Sequence, residues 1–306
     1  MRFQTLVDLP PPAITLRPSS KVLFLGSCFA TNVGERMAEA LPHVVVNPMG
    51  TLYNPSSIAL ALRLLQKKEI PKTLLFEGGD GLWHSWAHAS EVSDETQEAC
   101  LARIHERWEQ VDLAQTEVLF VTFGTARVYT LAATGQIVAN CHKASSRLFC
   151  ERDLSVEEMV EEWTELLSTL SENLKVVFTV SPYRYAKYGF HESQLSKARL
   201  LLAINELCHR HPQCHYFPAY EIVLDELRDY RFYASDMLHP TAQTADYIWE
   251  RLQTWAFPEA TQRFAKERMT LMKALQHRPR RMDDAYQQFL QQTKERLVAL
   301  DATGIV

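Results

Sequence analysis

The stretch KVLFLGSCFATNVGERM (residues 21–37) decides how this chain begins to fold. Its apolar run Val22–Leu25 predicts a buried β-strand. Apolar residues then follow at helical spacing, at Phe29, Val33, Met37 and Leu41. Gly26 fits a sharp turn between the two elements, because glycine has no Cβ and tolerates positive φ. The stretch therefore predicts a strand that passes directly into a helix, with Ser27 and Cys28 at the junction.

The same alternation of strand and helix repeats along the chain. Four further apolar runs predict strands, at residues 44–46, 118–122, 175–180 and 215–217. Amphipathic stretches predict helices, at residues 29–41, 58–65, 100–108, 154–170 and 195–208. Continuous apolar strands that alternate with such helices favour βαβ units and a parallel sheet covered on both faces.

Three segments depart from this alternation. GGDG (78–81) predicts a turn within an irregular stretch, and residues 127–143 predict a hairpin around an Ala-Thr-Gly turn. Beyond Pro258 the sequence becomes basic and helical, with HRPRRMDD (277–284) as a break between two helices. We therefore expect one α/β domain over residues 1–256 and a C-terminal helical extension, residues 257–306, packed on it.

Composition excludes several classes of protein. Of 306 residues, 46% are hydrophobic and 23% are charged, which is typical of a soluble protein with a sizeable core. The net charge of -5 contains no long run of one sign, so no nucleic-acid surface is expected. Neither a signal peptide nor a membrane span is predicted. The six cysteines lack metal spacing, so free thiols, a cytoplasmic location and no cofactor are the expectation.

Small and polar residues follow each predicted strand. They form the segments Gly26–Cys28, Asn47–Thr51, Phe123–Thr125, Ser181–Arg184 and, further along the last connection, Asp236–His239. Ligands of open parallel sheets bind beyond the carboxyl ends of the strands. We therefore expect these segments to gather on one rim of the sheet and to form the functional site.

Two of these segments carry residues suited to nucleophilic chemistry. Ser27 lies where the first backbone N–H groups of a helix point outward, so these amides can hold an oxyanion; the alternative is a simple helix cap. Asp236 stands three residues before His239 and can fix the tautomer of that imidazole, leaving the other nitrogen as a base. Here too the alternative is local, a capping aspartate beside a surface histidine.

The segment LGSCFA (25–30) resembles the signature of the GSCFA family, which is placed within the SGNH (GDSL-like) hydrolase superfamily. Later segments extend the resemblance over most of the chain: NPMGTLYNP, FGTARVY, VANCHK, SPYR, SQLSKA and DELRDYRFYASDMLHP. The resemblance implies a flavodoxin-like three-layer α/β/α sandwich. It also implies a serine hydrolase or acyltransferase that acts on an ester, such as an O-acylated carbohydrate.

The resemblance also assigns site residues. Ser27 corresponds to the nucleophile, His239 to the base, Asp236 to its orienting partner and Gly50 to an oxyanion glycine. The oxyanion asparagine of the superfamily is missing, since the matching segment begins Gly124-Thr125. Thr125, Asn54, Asn140 and His142 are the candidate replacements, and the predicted hairpin favours the last two. Arg184 is a candidate for holding an anionic group or for a structural ion pair.

Two other functions remain open at this stage. The missing asparagine favours a catalytically lapsed binding module on the same fold. The spacing His84-x-x-x-His88, together with Cys141 and His142, suits a zinc site if the first pair lies on a helix. The aromatic segments 83–88 and 183–185 either line a pocket or belong to the core. Of the two heteroatoms at the first junction, the hydroxyl of Ser27 is expected to face the crevice and the thiol of Cys28 to turn away.

Overall fold

The computed structural model describes residues 4–277 and 283–304. In chain order its helices and strands are β1 (Val22–Gly26), α1 (Cys28–Ala40), β2 (Val44–Val46), α2 (Pro55–Lys67), β3 (Leu75–Glu77), β4 (Trp83–Ser85), α3 (Gln97–Glu109), β5 (Val118–Phe123), β6 (Arg127–Leu131), β7 (Ile137–Val138), β8 (Phe149–Asp153), α4 (Val156–Ser168), β9 (Lys175–Val180), α5 (Phe190–Arg210), β10 (Cys214–Tyr216), α6 (Ala219–Glu221), α7 (Ala242–Ala256), α8 (Glu259–Gln276) and α9 (Asp284–Thr303).

The central sheet has five parallel strands in the order β10-β9-β5-β1-β2. Counted along the chain, the parallel strands have the spatial order 2-1-3-4-5, which is that of flavodoxin-like folds. The strand order reverses at β1, because β2 lies on one side of it and β5 on the other. A crevice is therefore expected at the carboxyl end of β1, next to β5.

Both faces of the sheet are buried, as the apolar strands predicted. On β1, Leu23 and Leu25 face one cluster of buried side chains, whereas Val22 and Phe24 face the other. The first cluster draws on α2, α3, α4 and α5, and the second on α1, α7 and α8. The flavodoxin-like α/β/α sandwich expected from the sequence is thus confirmed.

The two irregular segments form small antiparallel sheets beside the central one. The predicted hairpin is present as β6 and β7, but a third strand, β8, pairs with β6 on its other side. The sequence FCERD of β8 has no buried residue and no apolar alternation, so it carries no strand signal. The turn at residues 78–81 closes a further hairpin, β3–β4.

The C-terminal helices contact the sandwich through α1. Arg268 of α8 is 7% exposed and donates hydrogen bonds to the carbonyls of Ala38 (2.7 Å) and Glu39 (2.8 Å) at the end of α1. It also pairs with Asp301 of α9 at 2.8 Å. Of the break expected at 277–284, residues 278–282 lie outside the described part of the chain, and the division at residue 256 remains an expectation. Among the described residues, no helix is long and apolar enough to span a membrane.

Candidate active site

Ser27 lies at the junction between β1 and α1. It is the N-cap of α1, and its Oγ accepts a hydrogen bond from the Phe29 N–H at 3.3 Å. Gly26 before it has φ +144°, and a Cβ there would stand 2.4 Å from the carbonyl oxygen of Thr122 on β5. Only glycine lets the two strands approach this closely while the chain turns. Ser27 is consequently fixed next to the end of β5, with 2% of its surface exposed.

Asn47 anchors this junction from the loop after β2. Its Oδ1 accepts from the Gly26 N–H at 2.8 Å, and its Nδ2 donates to the Thr31 hydroxyl on α1 at 2.8 Å. Asn47 itself adopts a left-handed conformation with φ 44°, which asparagine tolerates better than most residues. The sequence reasoning gave Asn47 no role, although its place after a predicted strand was a usable signal.

The Asp236–His239 segment forms a tight turn on the same rim. His239 Nδ1 lies 2.5 Å from Asp236 Oδ2, and the N–H groups of Leu238 and His239 donate to Oδ1 at 2.9 and 3.0 Å. These hydrogen bonds, the one from His239 foremost, lower the pKa of Asp236 to about 2. The carboxylate is therefore ionised and acts as the acceptor, which places the proton of a neutral imidazole on Nδ1 and leaves Nε2 as a base.

Arg184 holds this turn in place. Its backbone N–H donates to Leu238 O at 3.1 Å, and its Nη1 donates to Met237 O at 2.9 Å. The guanidinium lies over the ring of Phe190, 4.4 Å from its centroid. Arg184 makes no ion pair within the described ranges, and it does not line the cavity that contains Ser27 and His239. Its geometry is that of a clamp on the turn that carries His239.

Ser27 and His239 line the same cavity, which has a volume of about 400 Å³. No hydrogen bond joins them in the described structure. The other residues that line the cavity are Cys28, Tyr53, Asn54, Gly124, Thr125, Arg127, Tyr129, Val138, Ala139, Asn140, Cys141, Ser181, Tyr183 and Tyr185. Four of the five rim segments expected from the sequence thus contribute to one pocket; the segment after β2 contributes through residues further on, Tyr53 and Asn54.

The backbone amides proposed for the oxyanion hole are occupied. The Gly50 N–H donates to Asn47 O at 2.8 Å, and Gly50 lies outside the cavity, packed where a Cβ would meet Ala89 at 2.4 Å. The N–H groups of Gly124 and Thr125 both donate to the carbonyl of Tyr53, at 2.8 and 2.9 Å. These glycine and threonine amides are free to hold an oxyanion only if the present hydrogen bonds break.

Thr125, Asn140 and His142 differ in what their side chains offer. Thr125 Oγ1 is engaged with Ser196 Oγ at 3.2 Å. Asn140 lines the cavity; its Oδ1 accepts from the backbone N–H of His142 at 2.7 Å, and its Nδ2 donates to none of the described residues. His142 is 7% exposed and points away from the cavity, since its ring nitrogens lie 3.1 Å from Ser90 Oγ and 2.9 Å from Ser85 O. The structure therefore does not bring His142 to Ser27.

Asn54 lies directly after the residues that are hydrogen-bonded to the Ser27 junction. Its Oδ1 caps α2 by accepting from the Ser57 N–H at 2.8 Å, while its Nδ2 donates to none of the described residues. The segment before it is pinned over the sheet, because Leu52 N donates to Gly26 O at 2.8 Å and Tyr53 O accepts from the Gly124 N–H at 2.8 Å. The amide of Asn54 is thus held rigidly beside the end of β1.

The histidines of the candidate zinc site form a buried cluster behind the pocket. His84 lies on β4, not on a helix, and hydrogen-bonds Ser93 at 2.7 Å and Asp80 at 3.0 Å. His88 is fully buried, with its Nδ1 2.8 Å from Ser85 Oγ, and burial lowers its pKa to about 3. Among residues 4–277 and 283–304, no group of three or more His, Cys, Asp or Glu is arranged to hold a metal ion.

Lys197 is a charged group near the site that the sequence reasoning did not single out. It is 2% exposed and donates to Gly124 O at 2.6 Å and to Ser181 O at 2.7 Å. Its signal was the SQLSKA segment, which carries polar residues on the buried face of α5. Cys28, which the sequence predicted to turn away from the crevice, instead lines the same cavity as Ser27; burial raises the pKa of its thiol.

The fold and the site define a doubly wound α/β protein with a polar pocket at the point where the strand order reverses. The model of the GSCFA family matches residues 21–252, and the chain belongs to this family. The match covers every strand of the central sheet and both halves of the candidate site. A search of curated proteins found no match.

Proposed function

We propose that this GSCFA protein is a serine hydrolase or acyltransferase of the SGNH type that acts on an ester. The observation that carries the proposal is that Ser27 and His239 line one cavity and that His239 Nδ1 is bound by Asp236. Ser27 thus supplies a hydroxyl, and the Asp236–His239 turn, which begins 209 positions later in the chain, supplies an oriented imidazole at the same cavity. A nucleophile, a base and an orienting carboxylate are the groups that acyl transfer requires.

The proposed reaction proceeds in two steps. His239 Nε2 takes the proton of Ser27 Oγ as that oxygen bonds to the ester carbonyl carbon, and the C–O bond to the leaving alcohol breaks as His239 returns the proton to it. The acyl group is then bound to Ser27. Water or a second alcohol, deprotonated by His239, attacks the acyl carbon and restores the serine, which gives hydrolysis or transfer.

Asn54 is the oxyanion donor that we favour over the hairpin residues. Asn54 and Asn140 both have an Nδ2 that donates to none of the described residues, but only Asn54 follows a segment that is hydrogen-bonded to Gly26 and Gly124 beside Ser27. A donor held in advance stabilises developing charge without reorganisation, which is the main source of oxyanion-hole catalysis. The positive end of the α1 dipole lies at the same junction, where the Phe29 N–H donates to Ser27 Oγ at 3.3 Å.

The cavity suits a small neutral substrate with a ring, such as an O-acylated carbohydrate. Four tyrosines line it, Tyr53, Tyr129, Tyr183 and Tyr185. Tyrosine offers an apolar face for a ring and a hydroxyl for hydrogen bonding. Among the described residues of the lining, Arg127 is the one arginine, and it is paired with Asp153 at 3.1 Å, so its charge is compensated. A volume of about 400 Å³ lies within the range of small-molecule sites.

Substitution at the first junction tests this function. Ser27→Ala is expected to abolish turnover of p-nitrophenyl acetate and labelling by a fluorophosphonate, because the hydroxyl that attacks is gone. Cys28→Ser is the matched control. It is expected to keep both the turnover and the labelling, because it leaves the attacking hydroxyl of Ser27 in place. Inactivation by iodoacetamide at Cys28, with an active Ser27→Ala variant, would assign the chemistry to the thiol.

A binding module is the second candidate function. It is favoured by the hydrogen bond that Ser27 Oγ accepts from Phe29 and by the lack of one between Ser27 and His239 in the described structure. A purified protein that neither turns over esters nor reacts with fluorophosphonates, yet binds sugars or their esters in a calorimeter, would support this candidate.

A further inference from the structure

One face of α5 holds together the loops that build the candidate pocket. Ser193 Oγ accepts from the Tyr185 N–H at 3.2 Å, and Ser196 Oγ accepts from the Ala126 N–H at 2.8 Å. Lys197 follows directly and is the most deeply buried of the three, at 2% exposure. Because these positions share a helix face at i, i+3 and i+4, they act on the two loops after β5 and β9 as one unit.

Lys197 bridges the ends of two neighbouring strands. β5 and β9 are paired as far as Phe123 and Val180, and the residues that follow these two strands are Gly124 and Ser181. Their carbonyls accept from Lys197 Nζ at 2.6 and 2.7 Å. The strands diverge here, and the lysine supplies hydrogen bonds to carbonyls that the sheet no longer satisfies.

The bridge lies directly beside the proposed nucleophile. A Cβ built on Gly124 would stand 3.6 Å from Ser27 Cβ. Gly124 and Ser181 also line the cavity that holds Ser27. A shift of either carbonyl would therefore move the wall against which the Ser27 side chain rests.

Burying the ammonium group of Lys197 costs desolvation free energy, which two carbonyl partners offset only in part. No carboxylate within the described ranges lies within ion-pair distance of Lys197; the groups that face it are the Cys28 thiol on α1 and the Tyr220 ring, 5.9 Å away. Burial lowers the pKa of Lys197 to about 7. Its positive charge also lowers the pKa of Cys28, although burial raises that pKa more. The charge therefore acts on the first residue of α1, next to Ser27.

We propose that Lys197 is a positioning residue of the candidate active site: it fixes the Gly124 and Ser181 loops around Ser27 and places a positive charge where negative charge develops. The catalytic part of this proposal rests on the proposed function. The electrostatic part concerns the local environment of α1 and is measurable at Cys28 without any turnover.

The experiment compares Lys197→Met, Lys197→Arg and Arg210→Met in the full chain. Methionine keeps the length of the side chain without its donors or charge, and arginine keeps both. Arg210 is the control, since it pairs with Glu206 in the last turn of the same helix and is far from the pocket. We measure kcat and KM on p-nitrophenyl acetate, thermal melting, and the rate at which iodoacetamide alkylates the Cys28 peptide between pH 7 and 9.

Lys197→Met is expected to lower kcat roughly 10- to 100-fold, since small misplacements of reacting groups have effects of this size, with KM little changed. It should also slow Cys28 alkylation at pH 7, because less thiolate is present. Arg210→Met should leave both unchanged. In Lys197→Arg the charge persists above pH 8, where a lysine with a pKa of about 7 has already lost its proton, so the alkylation rate and kcat at pH 9 should exceed those of the natural protein.

Several results would overturn the proposal. Unchanged kcat and unchanged Cys28 alkylation in Lys197→Met would reduce the lysine to a packing element. If Lys197→Met fails to fold, a Lys197→Arg variant with the same pH profile as the natural protein would do the same. If the natural protein shows no ester turnover, the proposed function fails, and the alkylation rates still decide whether the charge of Lys197 acts on the start of α1.

Discussion

Two regions of this protein contain histidines hydrogen-bonded to nearby side chains, and the two regions differ in exposure to solvent. In the 236–239 turn, His239 is about half exposed, with 49% of its side chain accessible, and it has the ionised Asp236 as partner. In the cluster of His84, His88 and His142, all three residues are buried, and the partners are mainly serine hydroxyls and backbone carbonyls. Because His84 also has a carboxylate partner, Asp80 at 3.0 Å, burial is what separates the cluster from His239.

The electrostatic reason is the cost of burying charge. Desolvation lowers the pKa of His88 to about 3 and also lowers that of His142. An imidazole with such a pKa stays neutral near pH 7 and is too weak a base to take a serine proton. His239, in contrast, keeps 49% of its side chain exposed and has the ionised Asp236 as its hydrogen-bond partner.

The largest expected effect separates the two regions by activity. His239→Ala should lower ester turnover by roughly 10⁴-fold or more, as the loss of a triad member does. His142→Gln should stay within about twofold of the natural protein, because its side chain faces Ser85 and Ser90 and not the pocket. Steady-state kinetics on p-nitrophenyl acetate measures both.

A sharp loss of activity in His142→Gln with an unchanged melting temperature would contradict this separation. It would return His142 to the oxyanion role that the sequence favoured, and it would require the ring to leave Ser85.

The second prediction concerns Asn140, which lies between the two regions. It lines the cavity, and its Oδ1 accepts from the His142 N–H at 2.7 Å, as the Oδ1 of Asn54 accepts from Ser57, so the two residues are alternative donors. If Asn54 is the oxyanion donor, Asn54→Asp should lower kcat by about 10²- to 10³-fold, since the amide donor is replaced by an anion. The carboxylate still caps α2, so the fold is preserved.

Asn140→Asp is the matched control for this change and is expected to have a much smaller effect on kcat. The reverse order of effects would identify Asn140 as the donor. It would also show that the hairpin, and not the segment after β2, completes the site.

The smallest expected effect is the loss of folding stability at acidic pH that His88 causes. The folded-state pKa of His88 is about 3, against 6.5 for an ordinary histidine, so below pH 6.5 the unfolded chain binds a proton that the folded chain does not. His88 therefore makes the protein lose stability as the pH falls from 6.5 toward 3. Between pH 6 and pH 5 the free energy of unfolding should fall by about 1 kcal/mol through His88.

Urea denaturation at these two pH values measures the effect. His88→Gln should show a smaller fall than the natural protein, because glutamine has no proton to gain, and ester turnover should be unaffected. His239→Gln serves as the comparison from the other region. An equal fall in His88→Gln and the natural protein would mean that His88 is not buried in its neutral form.

The sequence by itself determined the sandwich and the two local pieces of the site. The five strands are predicted by apolar runs and their helices by helical spacing of apolar residues. Both patterns depend only on neighbours within a few residues. Gly26 and Ser27 are likewise adjacent, and Asp236 reaches His239 within one turn, so their local geometry follows from chain stereochemistry alone. The family signature added the roles that these residues are proposed to play.

Only the tertiary structure decided which polar groups lie near one another. β8 pairs with β6 although its own sequence lacks a strand pattern, because the pairing is set by a partner about 20 residues away. Lys197 reaches Gly124 across 73 positions, Leu52 just before Asn54 is hydrogen-bonded to Gly26 at the end of β1, and His142 turns away to Ser85. Each of these outcomes depends on how strands, loops and α5 pack at one rim, and contacts between distant segments leave no periodic pattern in the sequence from which they could be read.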